Sequence, residues 1–223
     1  MRAIAVIAAA GSGERLGAQR PKALVVYGGR PLLEWCLEAA LAAQSVVAAV
    51  VAAQGDELAE FERIATVSGE AAGKPVTVVP GGASRSHSVR LAVRAAPGLG
   101  VEYDALAVHD AARPLAPPEL FDAAVAALSD ADCVAAAAPV VDTIKVAGAD
   151  GLVRSTPDRA TLWAVQTPQV FRRATLERAL DVSDDQLAAA TDDASLAEAI
   201  GADVRLLRWD GPNPKVTVAS DLQ

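Results

Sequence analysis

The 223-residue chain holds only two cysteines, Cys36 and Cys133, far apart in apolar surroundings. No CxxC or other metal-ligand spacing occurs, so the pattern predicts two buried, reduced thiols rather than a redox or zinc pair. With two histidines in all, a histidine-rich metal centre is excluded. Positive charge is also short: 20 Lys and Arg stand against 28 Asp and Glu, a net −8. That excludes a general nucleic-acid or anionic-membrane surface, which needs a basic face, but leaves room for a small basic pocket. No apolar run approaches the roughly 18 residues of a membrane helix. The longest Ala/Val run is Val46–Ala53. The chain enters a strand-like run at once, without the basic and long apolar regions of a signal peptide. The expectation is a cytoplasmic protein with neither nucleic acid nor membrane as partner.

Aromatic residues are scarce too, at 4%, and alanine takes their place. The 52% of hydrophobic residues includes 51 Ala, 27 Val, 22 Leu and 5 Ile, so it overstates the greasiness of the chain. Small side chains predict close approach between layers, with bulk supplied by Leu and Val. The runs Ala3–Ala9, Val46–Ala53, Val76–Val79, Ala105–Val108 and Cys133–Ala138 are almost continuously apolar. Strands covered on both faces have that character. Helix signals lie between them. Pro31 stands at a first helical position before Leu32, Leu33, Leu37 and Leu41. Ser84 can cap a helix carrying Val89, Leu91 and Val93, and Pro117-Pro118 opens another through Phe121, Val125 and Leu128. Thr191 can cap a helix with Leu196 and Ile200, closed by Gly201. The alternation predicts an α/β fold, a Rossmann-like open, mostly parallel sheet with helices on both faces.

Residues 139–166 break the rhythm. Turn signals at Gly148, Asp150-Gly151 and Pro157, with short β-like pieces at Thr143–Val146 and Leu162–Val165, predict a β-arm. It would project from a single domain spanning residues 1–223. The last residues, Ser220 to Gln223, read as the start of a capped helix, an end that looks shortened.

The chemistry begins directly after the first strand, at Ala8-Ala9-Ala10-Gly11-Ser12-Gly13-Glu14-Arg15-Leu16-Gly17, followed by Arg20-Pro21-Lys22. Small residues and glycines let backbone N–H groups approach an anion closely. Arg15 and Lys22 bracket the loop with positive charge, and Arg20 adds a third, so a polyphosphate is its natural occupant. The loop is neither G-x-x-x-x-G-K-[ST] nor G-x-G-x-x-G.

This loop resembles that of the nucleotidyltransferases that activate sugar phosphates, near A-A-G-x-G-x-R-[ML]-x(n)-P-K. More closely, the chain resembles the 2-C-methyl-D-erythritol 4-phosphate cytidylyltransferase family of non-mevalonate isoprenoid biosynthesis. The likeness continues in order through GGASRSHSV at 81–89, VHDAARP at 108–114, APVVDTIK at 138–145, TPQVF at 167–171, TDDAS at 191–195 and NPKVT at 213–217. It implies transfer of CMP from CTP to the polyol phosphate, with release of pyrophosphate, Mg²⁺ or another divalent cation as cofactor, and a homodimer joined through the arm. It places the nucleotide on Ala9, Ala10, Gly11, Ser12, Gly13, Gly82, Ala83 and Ser88. The family often has Asp where Ala83 stands, so base choice here would run through backbone groups.

Each remaining motif has a physical reading beside that resemblance. An ionisable pair at the end of an apolar strand, His109-Asp110, is costly without a use. Adjacent strand residues point to opposite faces, so the two cannot serve one metal. Asp110 is the candidate to face the ligand, as a Mg²⁺ ligand or hydroxyl acceptor, and His109 reads as a structural hydrogen-bonder. Arg113 could form a planar fork to a sugar or phosphate. The resemblance sends Thr143 and Arg159 of the arm into a neighbouring active site, with a weaker claim for Lys145. Thr167, Thr191 and Lys215 supply two hydroxyls and one ammonium suited to a phosphate monoester. The implied catalytic set is Arg15, Lys22, Arg159 and Lys215.

Competing readings are a cytidylyltransferase for another polyol phosphate, such as ribitol 5-phosphate, and a non-catalytic nucleotide-binding module. The presence of Arg15, Lys22 and Lys215 disfavours the module. A dehydrogenase domain lacks its glycine fingerprint, and a Ser-His-Asp hydrolase lacks the G-x-S-x-G elbow. The expected picture is an acidic shell around a local basic funnel drawn from Arg15, Arg20, Lys22, Arg113, Arg159 and Lys215.

Overall fold

A computed structural model describes residues 1–13, 16–17 and 20–222. The main sheet contains β1 (Ala3–Ala9), β4 (Val46–Ala53), β5 (Val76–Pro80), β6 (Ala105–Asp110), β7 (Cys133–Pro139), β10 (Trp163–Arg172) and β11 (Val204–Arg208), in the order β11-β7-β10-β6-β1-β4-β5. Only β10 runs antiparallel to its neighbours. Two short ribbons complete the strands: β2 (Val26–Tyr27) with β3 (Arg30–Pro31), and β8 (Val146–Ala147) with β9 (Val153–Ser155).

Helices cover both faces, and the alternation of side chains along each strand divides the core. Ala3, Ala5, Ile7 and Ala9 of β1 face one cluster, shared with α1 (Leu32–Ala42), α2 (Leu58–Ala72) and α4 (Pro118–Ala127). Ile4 and Val6 face the other, shared with α3 (Arg85–Ala95), α5 (Arg173–Ala179), α6 (Asp184–Ala189) and α7 (Asp193–Ala199). The alanine excess sits at register positions. Ala5 pairs with Ala49 on one side and Ala107 on the other, and Ala8 and Ala9 pair with Ala52 and Ala53. Bulk comes from the layers above and below, where Phe61, Phe121, Leu32, Leu33 and Leu37 are fully buried. Cys36 and Cys133 are buried free thiols, and burial pushes both of their pKa values up.

Several elements differ from their sequence expectation. Pro31 lies one residue before α1 rather than inside it. Asp192, not Thr191, caps α7, because its carboxylate accepts the Ser195 N–H at 2.8 Å. The arm ribbon is Val146–Ala147 with Val153–Ser155, while 143–145 is irregular. Of Leu162–Val165, residues Trp163–Val165 form the start of β10, which continues through Arg172 into the centre of the sheet. Its register breaks between Val165 and Gln169, where Thr167-Pro168 is a cis peptide. Among the described residues no helix is long and apolar enough to cross a membrane.

Candidate active site

From β1 the chain winds outward through β4 and β5, then returns to place β6 on the other side of β1. In an open α/β sheet, ligands bind beyond the carboxyl ends of the strands at such a reversal. A cavity of about 510 Å³ lies there, within the usual range for small-molecule sites. Three segments at strand ends line it: 8–13 after β1, 82–85 after β5, and 110–112 at the end of β6.

The glycine loop is closed by two backbone bonds, Lys22 N–H to Gly11 O at 3.0 Å and Leu16 N–H to Gly13 O at 2.8 Å. Gly13 sits at φ +78°, a left-handed conformation that other residues adopt only at a cost. Pro21 is buried and starts the short turn Lys22–Leu24, whose Ala23 and Leu24 are buried while Lys22 lines the cavity. At Gly81 an added Cβ would collide with the Ala10 side chain, so the two loops touch only because residue 81 has none. Ser84 caps α3, its hydroxyl accepting the His87 N–H at 3.3 Å. The buried Ser88 hydroxyl accepts the Gly82 N–H at 3.0 Å and donates to Ser84 O at 2.9 Å. Ser88 therefore shapes the second loop, and the backbone of 82–83 borders the cavity.

Charge is concentrated around Asp110. Lys215 donates to Asp110 Oδ2 at 2.6 Å. Arg85 donates through Nε to Asp110 Oδ1 at 2.9 Å and through Nη1 to Asp193 Oδ2 at 2.5 Å. Burial alone would raise the Asp110 pKa, but the Arg85 and Lys215 charges outweigh it and hold the carboxyl well below its usual range. Asp193 is completely buried at the first position of α7, and burial pushes its carboxyl up against the pull of Arg85. Gln169 of β10 ties that helix end to the sheet: its amide donates to Asp192 Oδ2 at 2.7 Å, and its oxygen accepts the Ala194 N–H at 3.0 Å.

Beneath Asp110 runs a buried chain of hydrogen bonds. Burial pushes the His109 pKa down to about 4, so the imidazole is neutral at pH 7. Its Nε2 lies 3.3 Å from Arg113 O, an atom that only accepts, so Nε2 carries the proton. Nδ1 then accepts from the Thr167 hydroxyl at 3.1 Å, and the Thr167 oxygen accepts the Asp110 N–H at 3.0 Å.

The cavity brings together Ala9, Ala10, Gly11, Ser12, Gly13, Gly82, Ala83 and Ser88 with Lys22, Asp110 and Lys215. Other expected site residues lie elsewhere. The Arg113 guanidinium turns inward, donating to Asn213 O at 2.6 Å, because that carbonyl needs a buried partner. Thr167 is buried under Asp110 rather than facing the cavity. Thr191 and Thr143 are exposed outside it. Arg159 stays on the arm, donating to Val141 O at 2.9 Å. Arg20 pairs with Glu57 at 3.0 Å on the surface. Arg15 lies outside the described residues.

The funnel drawn from sequence thus gathers Lys22 and Lys215, and it gains Arg85, to which sequence reasoning gave no role. Asp193, Gln169 and Asn213 were also missed, although each stands inside a quoted motif. Asn213 braces the Lys215 loop through Nδ2 bonds to Gln166 Oε1 at 2.8 Å and Thr167 O at 2.9 Å. Asp110 is the only carboxylate lining the cavity among the described residues, and those residues include no group of three or more His, Cys, Asp or Glu able to hold a metal ion.

This geometry offers anion-binding backbone, two lysines and an arginine around one open cavity, the equipment of phosphoryl-group transfer by positioning and charge. The sequence profile of IspD, 2-C-methyl-D-erythritol 4-phosphate cytidylyltransferase, matches residues 3–223. A protein of that name from Synechococcus elongatus is 43% identical over 217 residues, covering 97% of this chain and 91% of the relative. One from Frankia casuarinae is 43% identical over 222 residues, covering 99% and 79%. Among solved structures, the 4-diphosphocytidyl-2C-methyl-D-erythritol synthase of Anaerococcus prevotii superposes with a TM-score of 0.81 at 26% identity, covering 99% of this chain and 92% of that one. The 2-C-methyl-D-erythritol 4-phosphate cytidylyltransferase of Thermus thermophilus gives 0.75 at 27% identity, covering 100% and 96%. The chain belongs to the 2-C-methyl-D-erythritol 4-phosphate cytidylyltransferase family.

Proposed function

We propose that the chain transfers CMP from CTP to 2-C-methyl-D-erythritol 4-phosphate, giving 4-diphosphocytidyl-2-C-methyl-D-erythritol and pyrophosphate, as a cytoplasmic step of non-mevalonate isoprenoid biosynthesis. The observation that carries this reading is the convergence of the glycine loop, Gly82–Arg85, Ser88, Lys22, Asp110 and Lys215 on one cavity in a chain of this family. An oxygen of the acceptor phosphate attacks the α-phosphorus in line. The new O–P bond forms as the bond to the β-phosphate oxygen breaks, and the electron pair leaves with pyrophosphate. Lys22 stabilises charge on the α-phosphate and leaving group, with Arg15 in the same role. Lys215 holds the acceptor phosphate, an anion approaching another anion. The cytosine edge is read by backbone groups at Ala10 and Gly82–Ala83.

A single cavity carboxylate among the described residues, with both oxygens already bonded, suits a Mg²⁺ that arrives on the triphosphate rather than a resident metal site. Asp110 is the residue to reach it. When bound, the ion would neutralise charge on the pyrophosphate. The arm supports a homodimer in which Thr143 and Arg159 serve the partner's cavity. It exposes Val141 (82%), Leu152 (61%) and Val153 (57%), an apolar surface that a second copy would cover. The net charge of −8 argues against nucleic acid as a partner.

Pyrophosphate release with the methylerythritol phosphate and each of CTP, UTP, GTP and ATP tests the reaction. The expected kcat/KM for CTP exceeds each of the others by at least about 100-fold, as for a site that hydrogen-bonds its base. Equal turnover with UTP or a purine nucleotide would overturn the reading.

A further inference from the structure

Four segments far apart in sequence meet in one line of charges. Asp193 accepts from Arg85, Arg85 donates to Asp110, and Asp110 accepts from Lys215. The two carboxylates are buried, Asp193 at 0% and Asp110 at 9% side-chain exposure, while Arg85 at 29% and Lys215 at 41% reach toward the cavity. The second Asp193 oxygen is buried with no hydrogen-bond partner among the described residues. A buried ion pair adds little net stability, and an apolar pair of similar volume often does as well or better. An incompletely satisfied buried carboxylate therefore needs an explanation other than stability.

We infer that Arg85 and Asp193 are positioning residues, which fix the Asp110 carboxylate so that its free edge holds Lys215 where the acceptor phosphate must bind. The inference rests on the reading that Lys215 serves that phosphate. Arg85 lines the cavity with two donor arms. Asp193 draws Nη1 inward, which sets the tilt of the guanidinium, presents Nε to Asp110 and keeps the group out of the phosphate position. Gln169 holds the helix end that carries Asp193, so the inward anchor is fixed to the sheet. Without Asp193, the freed arm can take the Asp110 oxygen that Lys215 uses, or the phosphate itself, and Lys215 loses its place. Lysine cannot replace Arg85, since a single ammonium lacks the planar fork that spans two carboxylates.

The test compares wild type, Asp193→Asn and the neutral pair Arg85→Met/Asp193→Asn by thermal unfolding, steady-state kinetics and NMR of ¹³C-methylated lysines. The chain has only four lysines, Lys22, Lys74, Lys145 and Lys215, so the last is assigned with Lys215→Arg. Expected are cooperative unfolding of the neutral pair near the wild-type temperature, a roughly tenfold to hundredfold loss of kcat/KM for the acceptor, as is typical when a group that orients a ligand is removed, a CTP KM within about twofold, and a moved Lys215 resonance with Lys74 and Lys145 unmoved. A Lys215 resonance and acceptor kcat/KM unchanged in the neutral pair would overturn the inference, as would failure of the neutral pair to fold. If the wild-type enzyme does not turn over the two substrates, the proposed function fails, and the lysine resonances still decide whether Asp193 positions Lys215.

Discussion

Replacing Thr167 by valine separates two roles that sequence alone confuses. Its motif suggests a hydroxyl aimed at substrate. In the structure Thr167 is 4% exposed, and its hydroxyl accepts the Asp110 N–H at 3.0 Å and donates to His109 Nδ1 at 3.1 Å. Valine keeps the shape, so no cavity opens, but it leaves a buried N–H and a buried ring nitrogen unpaired. Each such orphan costs about 1–3 kcal/mol, and together they should cost about 2–6 kcal/mol. For a chain of this length, about 2–4 °C per kcal/mol gives a fall in Tm of roughly 4–24 °C. Thr167→Ser, which keeps both bonds, should recover most of the loss. Thermal unfolding by circular dichroism, run beside kinetics, provides the assay. A Thr167→Val protein with wild-type Tm and a raised acceptor KM would refute the buried-chain reasoning and return Thr167 to the substrate.

The same chain predicts a pH effect. His109 titrates near 6.5 when unfolded but at about 4 in the folded protein, so between those values the unfolded chain binds the extra proton. Stability therefore falls as pH drops from 6.5 to 4, by about 3 kcal/mol from this group. The His109 imidazole resonances should stay at their neutral positions down to about pH 5, and a midpoint near 6.5 would contradict the assignment. Lys22→Ala should lower kcat by about 10²–10³-fold, the usual loss of a preorganised charge, with a smaller effect on the CTP KM; near-normal kcat would remove its role. Mixing Arg159→Ala with Lys22→Ala subunits should recover activity, because each heterodimer keeps one intact shared site. No recovery would contradict a site completed by the partner's arm.

Much of this molecule is legible in its sequence because its strands are apolar on both faces and short loops separate them. Ala3–Ala9, Val46–Ala53 and Cys133–Ala138 read as buried strands for that reason, and the glycine loop follows from close backbone approach. The central strand Trp163–Arg172 was half hidden. Its Gln166-Thr167-Pro168 break interrupts the alternation, and its polar Gln169 is buried only because α7 needs a clamp. Strand Val204–Arg208 carries two arginines and lies at the sheet edge, so it lacks a continuous apolar signal. Arg113 shows the limit most clearly. An arginine in a loop after a buried strand can face a ligand or the interior, and a carbonyl 100 residues away, Asn213 O, decides. Arg85 and Asp193 stand beside residues of evident role, but only tertiary contact reveals that they share Asp110.

Acceptor choice tests the central claim most directly. Product formation from CTP should be followed by ³¹P NMR with 2-C-methyl-D-erythritol 4-phosphate and with ribitol 5-phosphate in parallel. The account predicts a growing pair of coupled diphosphate resonances and free pyrophosphate with the methylerythritol phosphate, and little conversion of the ribitol ester. Conversion of ribitol 5-phosphate with none of methylerythritol phosphate would contradict it.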